Sequence, residues 1–220
     1  GERVVGLSRF CTRPEAARKQ ATRVGGTKQF DFKKIESLNP DLIIANKEEN
    51  YKEGIEQLMS KYPTYVSDIF DLDDAIKTME DIGKLTDAVD HAARMCKQVR
   101  KAYDGIKGMT KGSVLYFIWQ KPDMVAGSDN FIDFTLNWLG FDNCAGDISR
   151  YPQMSASELA DRSPEYVMLS SEPFPFKDKH IDRYRALFPE AKVLLVDGEM
   201  FSWYGSRLLL APAYFAGLPL

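Results

Sequence analysis

Two histidines and three cysteines in 220 residues leave few groups for metal or nucleophile chemistry built by the protein itself. His91 and His180 stand in no distinctive context, so a Ser/His/Asp set has no anchor, and there is no GxSxG, P-loop or HExxH. Cys11, Cys96 and Cys144 show neither CxxC nor zinc spacing, and an odd number cannot pair completely. They read as small buried residues. Gly25-Gly26-Thr27 is a glycine pair without the rest of a phosphate-binding fingerprint, and 32 acidic residues make chance carboxylate pairs inevitable. The chain does not read as an enzyme, and no cofactor is expected. What it offers is a set of aromatics after strands: Phe10, Phe30, Trp119, Tyr151, Phe201, Trp203 and Tyr204. Lys28, Asn46, Gln120 and Arg150 are polar neighbours in the same loops. In open α/β sheets the carboxyl ends of strands are where ligands bind. Flat apolar walls with a few polar groups suit a flat or bulky small molecule better than a sugar or an amino acid. The expected lining is Phe10, Lys28, Phe30, Asn46, Trp119, Gln120, Tyr151, Phe201 and Trp203, in a cleft between two lobes.

The elements that must hold these residues alternate. Strands are expected at 4–7, 42–46, 64–67, 114–119, 166–170 and 193–196. Helices are expected at 31–38, 51–60, 130–139, 157–161 and 181–188, with a last one from about Ser202. This rhythm favours α/β with mainly parallel sheets. The two halves also resemble each other without a gap. Residues 35–48 (IESLNPDLIIANKE) align with 159–172 (LADRSPEYVMLSSE), each a helix end, a proline, an acidic residue, a buried strand and a glutamate. Each copy continues through a helix, a proline (Pro63, Pro189), a strand and an aspartate (Asp68, Asp197). Glu48 and Glu172 are therefore equivalent, each seven residues after the acidic residue that follows the proline (Asp41, Glu165).

Between the copies Asp71 can cap a first helix and Thr86 or Asp87 a second, with Gly83 as the break. Val89, Ala92, Cys96, Val99, Tyr103 and Ile106 recur at 3-4-3-4-3 spacing, one continuous stripe. From Asp87 to Lys107 such a helix spans roughly 30 Å, which suits a rigid connector. The expected organisation is a first lobe over 1–70, a helical backbone over 71–111 and a second lobe over 112–220. Composition agrees with a globular chain: 44% hydrophobic, 28% charged, and a net charge of −3 with no basic run to neutralise phosphates. Nucleic acid is not an expected partner, and no apolar stretch approaches the ~20 residues that span a bilayer. The opening Gly1-Glu2-Arg3 reads as the start of a fragment whose N-terminus has been removed.

These features resemble the periplasmic binding proteins of ABC importers for cobalamin, ferric siderophores and haem. The marks are residues 4–8 (VVGLS), 24–27 (VGGT), 33–43 (KKIESLNPDLI), 170–176 (SSEPFPF) and 203–208 (WYGSRL). The resemblance implies a class III fold, two Rossmann-like lobes joined by a single long helix, with the first strand and helix of the first lobe missing upstream of Val4. It implies a metal chelate held in the cleft with its own donor atoms, and an ABC permease in the membrane met by Glu48 and Glu172. It also implies a monomer, periplasmic or lipid-anchored at the outer face of the cytoplasmic membrane. Cobalamin-binding members carry tryptophans where Thr27 and Asn46 align, which leaves an iron chelate at least as well supported. Two other readings of the alternating pattern stay open: an enzyme on a similar two-lobe fold, chelatase- or nitrogenase-like, and a ligand-free regulatory module.

Overall fold

The computed structural model describes residues 3–220. They form two compact units, Gly1–Asp68 and Ile69–Leu220. In the first, β1 (Gly6–Leu7), α1 (Glu15–Gln20) and β2 (Thr22–Arg23) make a short parallel pair. β3 (Gly25–Gly26) and β4 (Gln29–Phe30) make a hairpin. α2 (Phe32–Leu38), β5 (Ile43–Asn46), α3 (Lys52–Met59) and β6 (Thr64–Ser67) complete the unit, with β5 and β6 parallel. Its core is small: Ile35, Ala45, Ile55 and Leu58, flanked by Phe30, Phe32 and Val66. The strand expected over 4–7 is paired only at Gly6–Leu7, and Val4 and Val5 stay exposed.

α2 shows why the internal repeat is more than a compositional likeness. Asp31 caps it by accepting from the Lys34 N–H at 3.1 Å. The helix stops at Asn39, whose left-handed φ of 43° is followed by Pro40. Proline disfavours right-handed helix at the residue before it. Ser163, the matching position of the second copy, has φ 44° and is followed by Pro164. Both copies thus use the same left-handed turn to send the chain from helix into a strand, buried at 167–170 in the second copy but only at Ala45 in β5, where Ile44 is exposed.

In the second unit α4 (Leu72–Leu85) and α5 (Val89–Asp104) lead into β7 (Ser113–Trp119), β8 (Met124–Val125), α6 (Phe131–Leu139) and β9 (Asp142–Asn143). Then come α7 (Ala156–Ala160), β10 (Tyr166–Ser170), α8 (Asp178–Leu187), β11 (Lys192–Val196) and α9 (Gly198–Ser202). A 3-10 turn (Gly205–Leu209) and α10 (Ala211–Ala216) end the chain. The sheet order is β11-β10-β7-β8, with β9 beside the start of β7. β7, β9, β10 and β11 run parallel and β8 antiparallel. β7 and β10 are apolar on both faces, as central parallel strands must be. Val114, Tyr116, Ile118 and Met168 point into one core, and Leu115, Phe117, Val167 and Leu169 into the other.

The stripe on α5 is buried at Ala92, Cys96, Val99 and Tyr103, and continues at Ile106 just beyond the helix, while Val89 stays 53% exposed. α5 folds back on α4 as an antiparallel pair. Cys96 lies against the Ile76 carbonyl, and Arg100 pairs with Asp73 at 2.7 Å. Asp71 caps α4 as expected, accepting from the Asp74 N–H at 2.9 Å. The expected break at Gly83 is not there. α4 runs through it, and Gly83 is where α5 comes closest, since a Cβ there would stand 2.5 Å from the Ala92 Cβ. Neither Thr86 nor Asp87 caps α5: Thr86 closes α4, its hydroxyl donating to the Ile82 carbonyl at 2.7 Å, and Ala88 precedes α5 without a side-chain cap. The last helix expected from Ser202 is instead three short pieces, α9, the 3-10 turn and α10.

Candidate functional site

The residues picked out from the sequence divide between the units: Phe10, Lys28, Phe30, Asn46 and Glu48 in the first, Trp119, Gln120, Tyr151, Glu172, Phe201 and Trp203 in the second. In the second unit one loop gathers several of them. After β10 the chain turns at Ser171, and residues 172–174 cross the end of β7, where the Phe174 N–H donates to the Ile118 carbonyl at 3.2 Å. Phe174 then meets Trp119 edge-on, ring centroids 5.5 Å apart. Two residues earlier, Glu172 accepts from the indole N–H of Trp203 and from the Ser202 hydroxyl, the latter at 3.0 Å. This loop holds both tryptophans. Trp119 is 38% exposed and Trp203 is half-buried. Burial pushes the Glu172 carboxyl above the usual glutamate range, against the two hydrogen bonds that favour its charged form, and the nearby Glu199 and Asp197 add to the rise.

Gln120 follows Trp119 at the turn into β8 and is half-buried. Tyr151 lies on the segment beside β8, where the Val125 N–H donates to the Pro152 carbonyl at 3.1 Å and the Gly127 N–H to the Arg150 carbonyl at 2.8 Å. The Arg150 guanidinium stacks between the rings of Tyr151 (5.6 Å) and Phe70 (5.7 Å) and donates to the Asp129 carbonyl at 2.6 Å. Phe201 is a different case. It is 0% exposed, packed on Tyr116 at 5.0 Å and Phe215 at 4.9 Å, so it belongs to the core and presents no face to a ligand. The helix α9 that carries it turns Phe201 inward and leaves Ser202 and Trp203 at the rim.

In the first unit, the loop after β5 is tied to the β3–β4 hairpin. Asn50 donates to the Thr27 carbonyl at 3.2 Å and accepts from the Asn46 N–H at 2.8 Å. Asn46 in turn donates to Ser67 at 3.1 Å and accepts from the Glu49 N–H at 3.0 Å. The Lys28 ammonium reaches the Glu48 carbonyl at 3.4 Å. Lys28, Asn46 and Glu48 therefore share one polar loop cluster. Phe30 sits behind it, half-buried against Tyr51 (4.9 Å) and Phe32 (6.0 Å). Phe10, 52% exposed, follows β1 and carries the Arg9 guanidinium over its ring at 5.0 Å.

The sequence reading missed Phe174, Ser202, Asn50 and Tyr51 as members of these clusters. Phe174 was legible as an aromatic between two prolines just after a buried strand. Asn50 and Tyr51 carried only the weak signal of a polar and an aromatic residue at a helix start. Among the described residues no group of three His, Cys, Asp or Glu side chains is placed to hold a metal ion. No helix among them is long and apolar enough to cross a membrane.

Comparison with known proteins agrees with this architecture. The vitamin B12-binding protein of Pectobacterium carotovorum subsp. carotovorum is 24% identical over 221 residues, covering 96% of this chain and 78% of its own length. The chain spans 64% and 57% of two further curated relatives. The crystal structure of the periplasmic vitamin B12-binding protein BtuF of Vibrio cholerae superimposes with a TM-score of 0.78 at 20% identity, covering 97% of this chain and 86% of that one. The periplasmic haem-binding protein BhuT in complex with two haems gives 0.80 at 21% identity, covering 96% and 86%. The fold is that of class III periplasmic binding proteins. The family described as periplasmic binding protein matches residues 1–185. This chain belongs to the periplasmic binding protein family, and is a solute-binding protein, not an enzyme.

Proposed function

We propose that this protein is the solute-binding component of an ABC importer, and that it captures a metal chelate and delivers it to a membrane permease. The ligand would be an iron chelate, haem or a ferric siderophore, ahead of cobalamin. The observation that carries the reading is the loop at residues 171–174, which buttresses Trp119 through Phe174 and binds Trp203 through Glu172. Two indoles steadied by one loop suit a broad, flat ligand. The preference for iron rests on the first unit, where Thr27 and Asn46 enter a polar hydrogen-bonded cluster in place of stacking walls. The metal is cargo and arrives with its own donors. Phe10, Lys28, Phe30, Asn46, Gln120 and Tyr151 complete the proposed site. The protein would act as a monomer at the outer face of the cytoplasmic membrane, periplasmic or lipid-anchored. Glu48 would meet basic residues of the permease; Glu172, expected to do the same, is instead engaged within its own unit by Trp203 and Ser202.

Purified protein titrated with haemin, ferrichrome and cyanocobalamin, followed by visible absorption, tests the reading. A saturable spectral change with haemin or loss of free ferrichrome on gel filtration is expected. Binding of none of the three would overturn it. Docking is tested at Glu48, since Glu172 has a second partner: Glu48→Lys is expected to leave chelate affinity unchanged and to abolish uptake by cells carrying the whole importer. Rim charges act on encounter more than on bound-state affinity.

A further inference from the structure

Glu172 is built into its place from several directions. Its Oε1 accepts from Trp203 Nε1 and Ser202 Oγ. Its backbone is clasped by Ser170, whose hydroxyl donates to the Glu172 carbonyl at 2.6 Å and accepts from the Glu172 N–H at 3.3 Å. That hydroxyl is itself held by the fully buried Tyr116, at 3.1 Å. Opposite, Gly198 opens α9: a Cβ there would stand 2.6 Å from the Glu172 Cγ, so only a bare backbone lets the carboxylate stem lie so close. Trp203, by contrast, has left the helix, with φ −95° and ψ 134°, so helical geometry does not fix its indole.

We propose that Glu172 is a positioning residue whose carboxylate fixes the Trp203 indole as one wall of the ligand site. The part of this that concerns the ligand rests on the function proposed above. A charged acceptor makes a hydrogen bond roughly twice as strong as a neutral one, and a half-buried setting strengthens it further. The same loop presses Phe174 on Trp119, so fixing Glu172 aligns both indoles from one anchor. The charged and titratable groups around the carboxylate are Asp197 and Glu199 at the start of α9, Arg207 of the 3-10 turn, which pairs with Glu199, Tyr116 of β7, and Tyr214 of α10, whose hydroxyl accepts from the Asp197 N–H at 2.7 Å.

The test is the indole N–H spectrum of protein labelled with ¹⁵N-tryptophan. Three tryptophans give three signals, and Trp203→Phe identifies one. In the parent, the Trp203 signal is expected to move as Glu172 titrates. In Glu172→Gln, whose amide oxygen still accepts, it should stay near its place and stop moving with pH. In Glu172→Ala its hydrogen exchange should speed about ten-fold or more. A Trp203 signal that ignores pH in the parent, or that moves equally in Glu172→Gln, overturns the positioning role. If Glu172→Ala does not fold, the Glu172→Gln comparison alone decides. Haemin titration supplies the second arm: Glu172→Ala is expected to weaken binding as Trp203→Ala does, and the double variant no further. Additive losses would show Glu172 acting other than through Trp203 and would overturn the proposal. If haemin binds no variant while the indole responds as expected, positioning of Trp203 stands and the haem reading falls.

Discussion

At the residue scale, buried polar atoms make the sharpest predictions. Among the described residues the Tyr103 hydroxyl has no hydrogen-bond partner, buried in the core beneath α5. An unsatisfied buried hydroxyl costs about 1–3 kcal/mol. Tyr103→Phe should therefore be neutral or more stable by up to about 1 kcal/mol in urea denaturation, since the ring stays and the orphan leaves. Glu172 gives a pH dependence with a fixed sign. Its carboxyl is raised above the ordinary 4.5, so the folded state holds that proton more tightly than the unfolded state. The resulting stability is complete below the ordinary value and is lost as pH rises through the folded one. Glu172→Gln escapes this loss. Its melting temperature should gain on the parent's as pH rises through that window, and a difference independent of pH would contradict the assignment. Phe201 marks what the sequence hid. A helix of five residues has no readable face, so an aromatic in SWY-rich surroundings gave no sign that it points inward while Trp203 points out. Phe201→Ala should cost about 3–5 kcal/mol of stability, the loss typical of a buried ring.

At the element scale, the α4–α5 pair rests on Gly83. Alanine is the better helix former by about 1 kcal/mol, yet Gly83→Ala should destabilise, because its methyl would meet Ala92 at 2.5 Å and overpacking costs about 1–3 kcal/mol. Adding Ala92→Gly should recover much of that loss, which a thermal-melt cycle of the four proteins would register as coupling. Periodicity located α5 well because five successive stripe positions from Ala92 to Ile106 are buried. It could not tell a glycine that breaks a helix from one that lets another helix approach, because both readings put the same residue at the same place. The long strands of the second unit, β7, β10 and β11, were legible to within a residue or so, and in β7 and β10 both faces are buried and the apolar runs unbroken. Two-residue strands such as β2 and β9 escaped because so short a pairing leaves no pattern.

At the scale of the whole molecule, the internal repeat was the most informative signal, and the structure gives it a physical basis in the paired left-handed turns at Asn39 and Ser163. Family membership accounts for the chain as a carrier of solute. The sequence proposes its ligand only as a class, since recognition depends on which side chains are reachable: Trp119 is exposed and Trp203 half-buried, while Phe201 is fully buried. The central claim is that a flat chelate lies against the two indoles held by the loop at 171–174. The most direct measurement is an equilibrium titration of haemin, with ferrichrome and cyanocobalamin in parallel, into the parent, Trp119→Ala and Trp203→Ala. Base–aromatic stacking, the nearest measured analogue, implies a loss of about 1–3 kcal/mol for each wall removed. The expected result is one-to-one binding of an iron chelate by the parent, weakened accordingly in both variants with their folds intact. Parent-like affinity in both variants, or no chelate bound by the parent, would contradict the claim.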